Sequence, residues 1–242
     1  MADLSGRVIV VTGAAGGLGG SLVRVLGDAG ALVVATDVRG DGVFLADLRT
    51  EEGNRALVEE AVARHGRIDA LVLNAGAQHM APIPEFPLEE WDRLMDVMVK
   101  GPFLALKHAW PHIARPGGRV VVTASGSSYI AEPFKAAYVA AKHAVAGLVK
   151  VAALEGGPLG MTANAVAPGW MRTPMVQNQL EDQVRLRGLS EQEVMADMVD
   201  RHPVKRFVET DEVARTIAFL CSDAASGING AIVPVDLGTL AC

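Results

Sequence analysis

Two cysteines in 242 residues, Cys221 and Cys242, are too few and too isolated for a disulfide framework or a zinc site. The expected state is two reduced thiols in a cytoplasmic protein. Aromatic residues make up only 5% of the chain, so its core must be filled by Val, Ala, Leu and Ile. Basic residues are also in deficit, 22 Lys and Arg against 28 Asp and Glu, for a net charge of −6. That balance, without any basic run, argues against nucleic acid or an anionic membrane as the partner. No apolar run reaches the ~18 residues that would suggest a membrane span. The opening Met1-Ala2-Asp3-Leu4-Ser5-Gly6 runs directly into an apolar strand, so no export signal is expected. His108 and His112 stand four apart, but no acidic or Cys partner occurs at a compatible spacing, and no metal is expected.

What the chain does have is a 50% hydrophobic content and 26 glycines, enough for a large core with tight strand-to-helix turns in one domain spanning 1–242. Continuous β-branched runs predict strands at 7–11, 31–36, 42–45, 68–73, 119–123, 161–166 and 231–235, the pattern of strands covered on both faces. Helical periodicity separates them, over 21–30, 51–65, 88–113, 134–155 and 212–222, with Gly101-Pro102 expected to bend or break the fourth strand's long successor. Strict alternation of strand and helix gives an α/β fold, a doubly wound Rossmann-type domain with a seven-stranded parallel sheet. The polar stretch 175–202 reads as a small helical lid, or alternatively as a solvated helix pair.

The first turn, Thr12-Gly13-Ala14-Ala15-Gly16-Gly17-Leu18-Gly19-Gly20, lies between a strand and a helix. Its glycines let backbone approach a pyrophosphate, and the first helical N–H groups supply donors. Asp37 ends the second strand about twenty residues on, where a carboxylate can accept from both adenosine ribose hydroxyls and repel a 2′-phosphate. This favours NAD, although Arg39 offers a guanidinium that NADP would use. Asp47, followed by Leu48, can approach the adenine amino group or simply end a strand in solvent. Asn74-Ala75-Gly76 ends the fourth strand with small residues that admit a cofactor ribose. Right-handed crossovers bring Gly13, Asn74, Ser125 and Pro168 to one cleft.

Tyr138 and Lys142 stand four apart on one helix face, with Ser125 upstream just past the fifth strand. An ammonium beside a phenol favours the phenolate and would bring a group that titrates near ~10 toward a useful range.

These motifs together resemble the short-chain dehydrogenase/reductase family over nearly the whole chain. Thr12, Gly13, Gly17 and Gly19 match its phosphate turn, and Asn74-Ala75-Gly76 matches its central strand motif. Ser125, Tyr138 and Lys142 match its catalytic positions, while Pro168, Gly169 and Thr173 match its nicotinamide loop. Within the family the chain is most similar to the 3-hydroxybutyrate dehydrogenases, on Asn74–His79, Lys100–Ala105, Pro133-Phe134-Lys135 and 179–194. The resemblance implies NAD-linked hydride exchange with a small 3-hydroxy acid. Gln78, Lys135 and Gln179 would grip the carboxylate and Ser127 would also line the pocket. It further implies a homotetramer. Three positions depart from the pattern: Ser127 replaces a His, Thr239 a Trp, and Met98 the Asn that helps hold a relay water. The alternatives are another ketone reductase or alcohol dehydrogenase, and an NAD-binding regulatory protein with impaired catalysis.

Overall fold

The computed structural model describes residues 2–113 and 115–241; the expectation for Cys242 lies outside the described residues. Seven strands form one sheet in the order β3-β2-β1-β4-β5-β6-β7. They are β1 (Val8–Thr12), β2 (Leu32–Asp37), β3 (Phe44–Leu45), β4 (Ala70–Leu73), β5 (Arg119–Thr123), β6 (Thr162–Pro168) and β7 (Ile232–Val235), and every pairing is parallel.

The continuous apolar runs are explained by two cores. Val8 and Val10 of β1 face a layer built from α2 (Glu51–His65), α4 (Gly101–Ile113) and α5 (Ala136–Gly156). Ile9 and Val11 point the other way, into a layer built from α1 (Gly17–Asp28) and α9 (Thr210–Leu220). Alternate residues of one strand are thus both removed from water, which permits no polar alternation. α5 with its following turn, Ala136–Leu159, is long and apolar enough to cross a membrane by length and composition. Its Val145, Val149, Ala152 and Ala153 are instead packed in the first core, as in a core helix.

Strand order reverses at β1, so a crevice opens between the carboxyl ends of β1 and β4. Side chains stitch that edge together. The buried Thr12 Oγ1 accepts from the Asn74 and Ala75 N–H groups at 2.9 and 3.0 Å. Asn74 Nδ2 donates to the carbonyls of Thr12 and Gly13, both at 3.1 Å, and its Oδ1 accepts from Thr123 Oγ1 at 3.1 Å. The ends of β1, β4 and β5 are therefore fixed relative to one another.

Two helices depart from expectation. α1 begins at Gly17 rather than 21, although each glycine costs a helix roughly 1 kcal/mol against Ala. Packing overrides propensity: a Cβ on Gly19 would run into the Gly13 carbonyl and Ala14. The helix expected over 88–113 is α3 (Leu88–Met95), a π-helical turn (Asp96–Lys100) and α4. The irregularity lies just before Gly101-Pro102, where the Gly101 N–H reaches back five residues to the Asp96 carbonyl. Pro102 has no N–H to continue the ladder, and Gly101 sits against the Leu48 carbonyl, 2.9 Å from where a Cβ would stand.

Replacing Thr12 by Val should orphan the Asn74 and Ala75 N–H groups and cost about 2–4 kcal/mol of unfolding free energy, while Thr12→Ser should cost under about 1. Urea titration of both variants checks this. Equal midpoints would show that the hydroxyl holds nothing.

Candidate active site

One cleft of about 870 Å³ runs along the carboxyl edge of the sheet. At one end lies the glycine turn. Gly13 has φ +66, and a Cβ there would stand 2.7 Å from the Ala75 Cα, so the turn hugs β4 and leaves room above it. The N-cap of α1 is Gly16. No side chain caps that helix and no acidic residue occupies its first turn, so the N–H groups at Gly17, Leu18 and Gly19 and the positive helix end remain for an anion. Gly17 lies against Thr173 and Pro174, which draws the loop after β6 over the turn. This cradle fits a dinucleotide pyrophosphate.

Asp37 borders the same cleft. Its Oδ2 accepts from the Ala15 N–H at 3.0 Å and its Oδ1 from the Val38 N–H at 2.7 Å. Backbone thus orients the carboxylate while each oxygen retains capacity for a ribose hydroxyl. Asp47 and Leu48 also border the cleft, but the Asp47 carboxylate is gripped by Arg49 at 2.7–3.1 Å. Hydrogen bonds from that guanidinium hold its carboxyl below the usual range. Arg39 and Arg49 line this end too.

Ser125 follows β5 in an extended conformation and caps a short turn over Gly126–Ser128, its Oγ accepting from the Ser127 N–H at 3.1 Å. Ser128 Oγ donates to the Lys142 carbonyl at 2.7 Å, which binds this turn to α5. The Ser125 hydroxyl lies close enough to Tyr138 to favour its phenolate. Lys142 Nζ stands 5.4 Å from the Tyr138 ring centroid and donates to the Thr123 carbonyl at 2.7 Å. The three residues meet as expected, but their electrostatics differ from expectation. Burial pushes the Tyr138 phenol up to about 12, against the lowering effect of the Ser125 hydroxyl, and the charge of Glu132 adds to the rise. Burial also pulls Lys142 down to about 8. Desolvation therefore sets both shifts, and the expected lowering of the phenol by Lys142 is not among their causes. Met98 lies fully buried in the π-helical turn with Leu94, Ala137 and Ala141, and Tyr138 packs against that cluster. Its thioether supplies packing under the catalytic helix where an amide would have supplied hydrogen bonds.

The far end of the cleft gathers the residues expected to grip a substrate carboxylate. Gln78, Ser127, Lys135 and Gln179 all line it, yet they are already engaged. Lys135 is buried under the Trp170 ring, 4.1 Å from its centroid, and donates to Glu132 Oε2 at 3.0 Å. Burial lowers its pKa and the Glu132 carboxylate opposes that shift. Ser127 Oγ donates to Glu132 Oε1 at 3.3 Å. Gln179 spends its amide nitrogen on the Met175 carbonyl at 2.8 Å and keeps a buried oxygen without a hydrogen-bond partner. Gln78 accepts the His79 N–H at 3.0 Å. Two strained backbone positions adjoin the cleft: Phe134, immediately before Lys135, has φ 68, and Leu237, next to the lining residue Asp236, has φ 56; non-glycine residues adopt that region only when their surroundings enforce it.

Four residues escaped the sequence reading: Glu132, Trp170, Arg201 and His202. Glu132 stands three residues before Lys135, a spacing that signals an ion pair. His202 carried no signal. It is fully buried, its Nδ1 bonds the Arg206 carbonyl at 2.6 Å and its Nε2 accepts from the Trp170 N–H at 3.1 Å. Those partners fix the neutral tautomer with the proton on Nδ1, and the clamp aims Trp170 at Lys135.

Comparison with known proteins agrees with this geometry. The sequence model described as enoyl-(acyl carrier protein) reductase matches residues 13–239. The D-beta-hydroxybutyrate dehydrogenase of Rhizobium meliloti is 35% identical, with 96% of this chain and 98% of that protein covered. The cis-4-hydroxycyclohexanecarboxylate dehydrogenase of Sinomonas cyclohexanicum is 38% identical, with 96% of each covered. The ligand-free aldohexose dehydrogenase of Thermoplasma acidophilum superposes with a TM-score of 0.92 at 31% identity, covering 100% of this chain and 96% of that one. With a parallel seven-stranded sheet, a glycine-rich first turn and Ser125, Tyr138 and Lys142 gathered at its carboxyl edge, the chain belongs to the short-chain dehydrogenase/reductase family of oxidoreductases acting on alcohols and ketones.

Proposed function

We propose that the protein is an NAD-dependent dehydrogenase of a small 3-hydroxy acid, of the 3-hydroxybutyrate type. The observation that carries the acid reading is the cluster of charged groups at the far end of the cleft. Lys135, Arg201 and Arg187 are linked through Glu132 and Asp197 by contacts of 2.8 to 3.9 Å. Lys135 and Arg201 border the cleft itself, and theirs are the cationic groups that a substrate carboxylate would meet at this end. The similarity to a hydroxybutyrate dehydrogenase over nearly the whole chain supports the same reading. Asp37 supports NAD, because a carboxylate facing a 2′-phosphate is repelled by it.

The bound nicotinamide supplies the hydride acceptor and, when oxidised, a positive charge near the phenol. Tyr138 takes the proton of the substrate hydroxyl, Ser125 donates a hydrogen bond to the oxygen as it becomes a carbonyl, and Lys142 offers its remaining donors to the nicotinamide ribose. In reduction the same phenol returns the proton. Burial keeps the resting Tyr138 protonated, the form that serves as the acid in reduction; in oxidation the phenol first gives up that proton, which the charges of Lys142 and of an oxidised nicotinamide would favour, and as phenolate takes the proton of the substrate. The proton leaves by way of water held on backbone carbonyls, since Met98 supplies no polar group. The helices α7 (Leu180–Arg187) and α8 (Glu191–Asp200), with the rest of 175–202, act as the lid. Val151 and Leu154, exposed on α5, suit a homotetramer interface in a cytoplasmic enzyme. A second reading, a neutral ketone or alcohol as substrate, is favoured by the pairing of Lys135 with Glu132.

An NAD-linked assay over hydroxy acids and neutral secondary alcohols is expected to favour the acids, and Tyr138→Phe to lower kcat at least about 10²-fold with NADH affinity within about twofold. Near-normal turnover by that variant would remove Tyr138 from the reaction. A Lys142 pKa lowered to about 8 means that the ammonium is charged below that pH and neutral above it. In the direction of reduction, where the phenol is already protonated, the free-enzyme kcat/KM for NADH should therefore be level up to about pH 8 and fall about tenfold per unit above it; a profile level to pH 10 would show that the charge is not needed. Asp37→Ala should lower kcat/KM for NAD about tenfold or more and raise it for NADP, with Arg39 in the same cleft left to meet the 2′-phosphate. An unchanged cofactor ratio would dismiss Asp37 as the selector.

A further inference from the structure

The buried polar groups around Lys135 say more about the substrate than its charge. Glu132 stands at the wall of the cleft, its side chain 17% exposed and paired with Lys135. A carboxylate in such an ion pair acts as an acceptor, and its two oxygens offer roughly four lone-pair sites. Lys135 takes one site at 3.0 Å and Ser127 Oγ one at 3.3 Å, while Arg201 stays at 3.9 Å, beyond hydrogen-bond reach. Part of the carboxylate therefore still faces the cleft. It also lies close enough to the reacting phenol for its charge to be felt at Tyr138. Gln179, on the wall of the same cleft, has its nitrogen fixed on the Met175 carbonyl and a buried oxygen without a hydrogen-bond partner.

Two acceptors at the substrate end are poorly matched to an alkyl tail. A methyl group against Glu132 would remove water from a charged oxygen and return no bond, and a carboxylate there would meet like charge. A hydroxyl donates into either acceptor and completes it.

We infer that Glu132 is a specificity-determining residue that accepts a hydrogen bond from a second substrate hydroxyl, so that the enzyme acts on a dihydroxy or polyhydroxy acid in preference to its deoxy counterpart. The inference rests on the hydroxy-acid reading above for the carboxylate, and on Glu132 and Gln179 for the additional hydroxyl. Lys135 then has two tasks: it holds Glu132 in place from under Trp170, and it shares with Arg201 the attraction of the substrate's own carboxylate.

The test is NAD-linked kcat/KM for 3,4-dihydroxybutyrate and 3-hydroxybutyrate, which differ by one hydroxyl, with cis-1,2-cyclohexanediol and cyclohexanol as a neutral pair. Wild-type protein should prefer the dihydroxy acid by about 10- to 100-fold, the discrimination given by one hydrogen bond to a charged group. Glu132→Gln, which keeps the shape and removes the charge, should shrink that preference several-fold, and Glu132→Ser should bring it near unity. Thermal melting and NADH binding of each variant separate this from misfolding. The wild-type ratio needs no variant: a ratio near one overturns the inference. So does a preference that Glu132→Gln and Glu132→Ser, both folded, leave intact. If neither acid is oxidised but the diol is preferred over cyclohexanol and the preference collapses in the Glu132 variants, the acid reading fails and the hydroxyl-reading role stands. Turnover of neither pair overturns both.

Discussion

The hydrogen bonds among Thr12, Asn74 and Thr123 are the constraint on which the rest of the site depends. They tie together three strands that are consecutive in the sheet but distant in the chain, at the point where strand order reverses. Thr123 extends the tie into the chemistry: its hydroxyl bonds Asn74, and its carbonyl receives the Lys142 ammonium. The phosphate turn after β1, the serine after β5 and the lysine of α5 are thus referred to one rigid edge. Rigidity here rests on buried polar groups that are all satisfied, an arrangement costly to disturb.

Above that edge, burial decides the electrostatics. Removing Tyr138 and Lys142 from water raises one pKa and lowers the other, and each shift favours the neutral form. The pair is therefore poised as a neutral acid beside an ammonium that is easily discharged, rather than as a ready phenolate. At the far end of the cleft burial lowers the Lys135 pKa as well, but partners oppose the shift. Lys135 is equally buried but keeps a carboxylate neighbour and an indole face, each of which supports its charge. One cleft thus contains a nearly neutral chemical centre and a strongly charged recognition end.

The alternation of apolar runs with helical periodicity, together with the glycine turn, made the sheet and its connections legible from the sequence, because strands covered on both faces leave an unmistakable apolar pattern. Ser125, Tyr138 and Lys142 were legible for a related reason: each sits at a strand end or early on a helix whose place in the fold is set by topology. The start of α1 was not legible. Gly19 looks like a helix breaker until the Gly13 carbonyl is seen to occupy the space of its Cβ. The π-helical turn before Gly101-Pro102 was hidden similarly, since the Leu48 carbonyl that crowds Gly101 comes from a distant loop.

Sequence by itself determined the doubly wound architecture and the place of the glycine turn, since these follow from local periodicity, and its resemblance to a family singled out Ser125, Tyr138 and Lys142 as candidates. Tertiary structure alone decided what those residues do to one another. Whether Lys135 is free or paired, whether Gln179 shows its nitrogen or its oxygen, and how His202 aims Trp170 all depend on which partner arrives from elsewhere in the chain. Pairing of buried polar groups is a contest among neighbours in space, and linear spacing reveals those neighbours only when they share a helix or a turn.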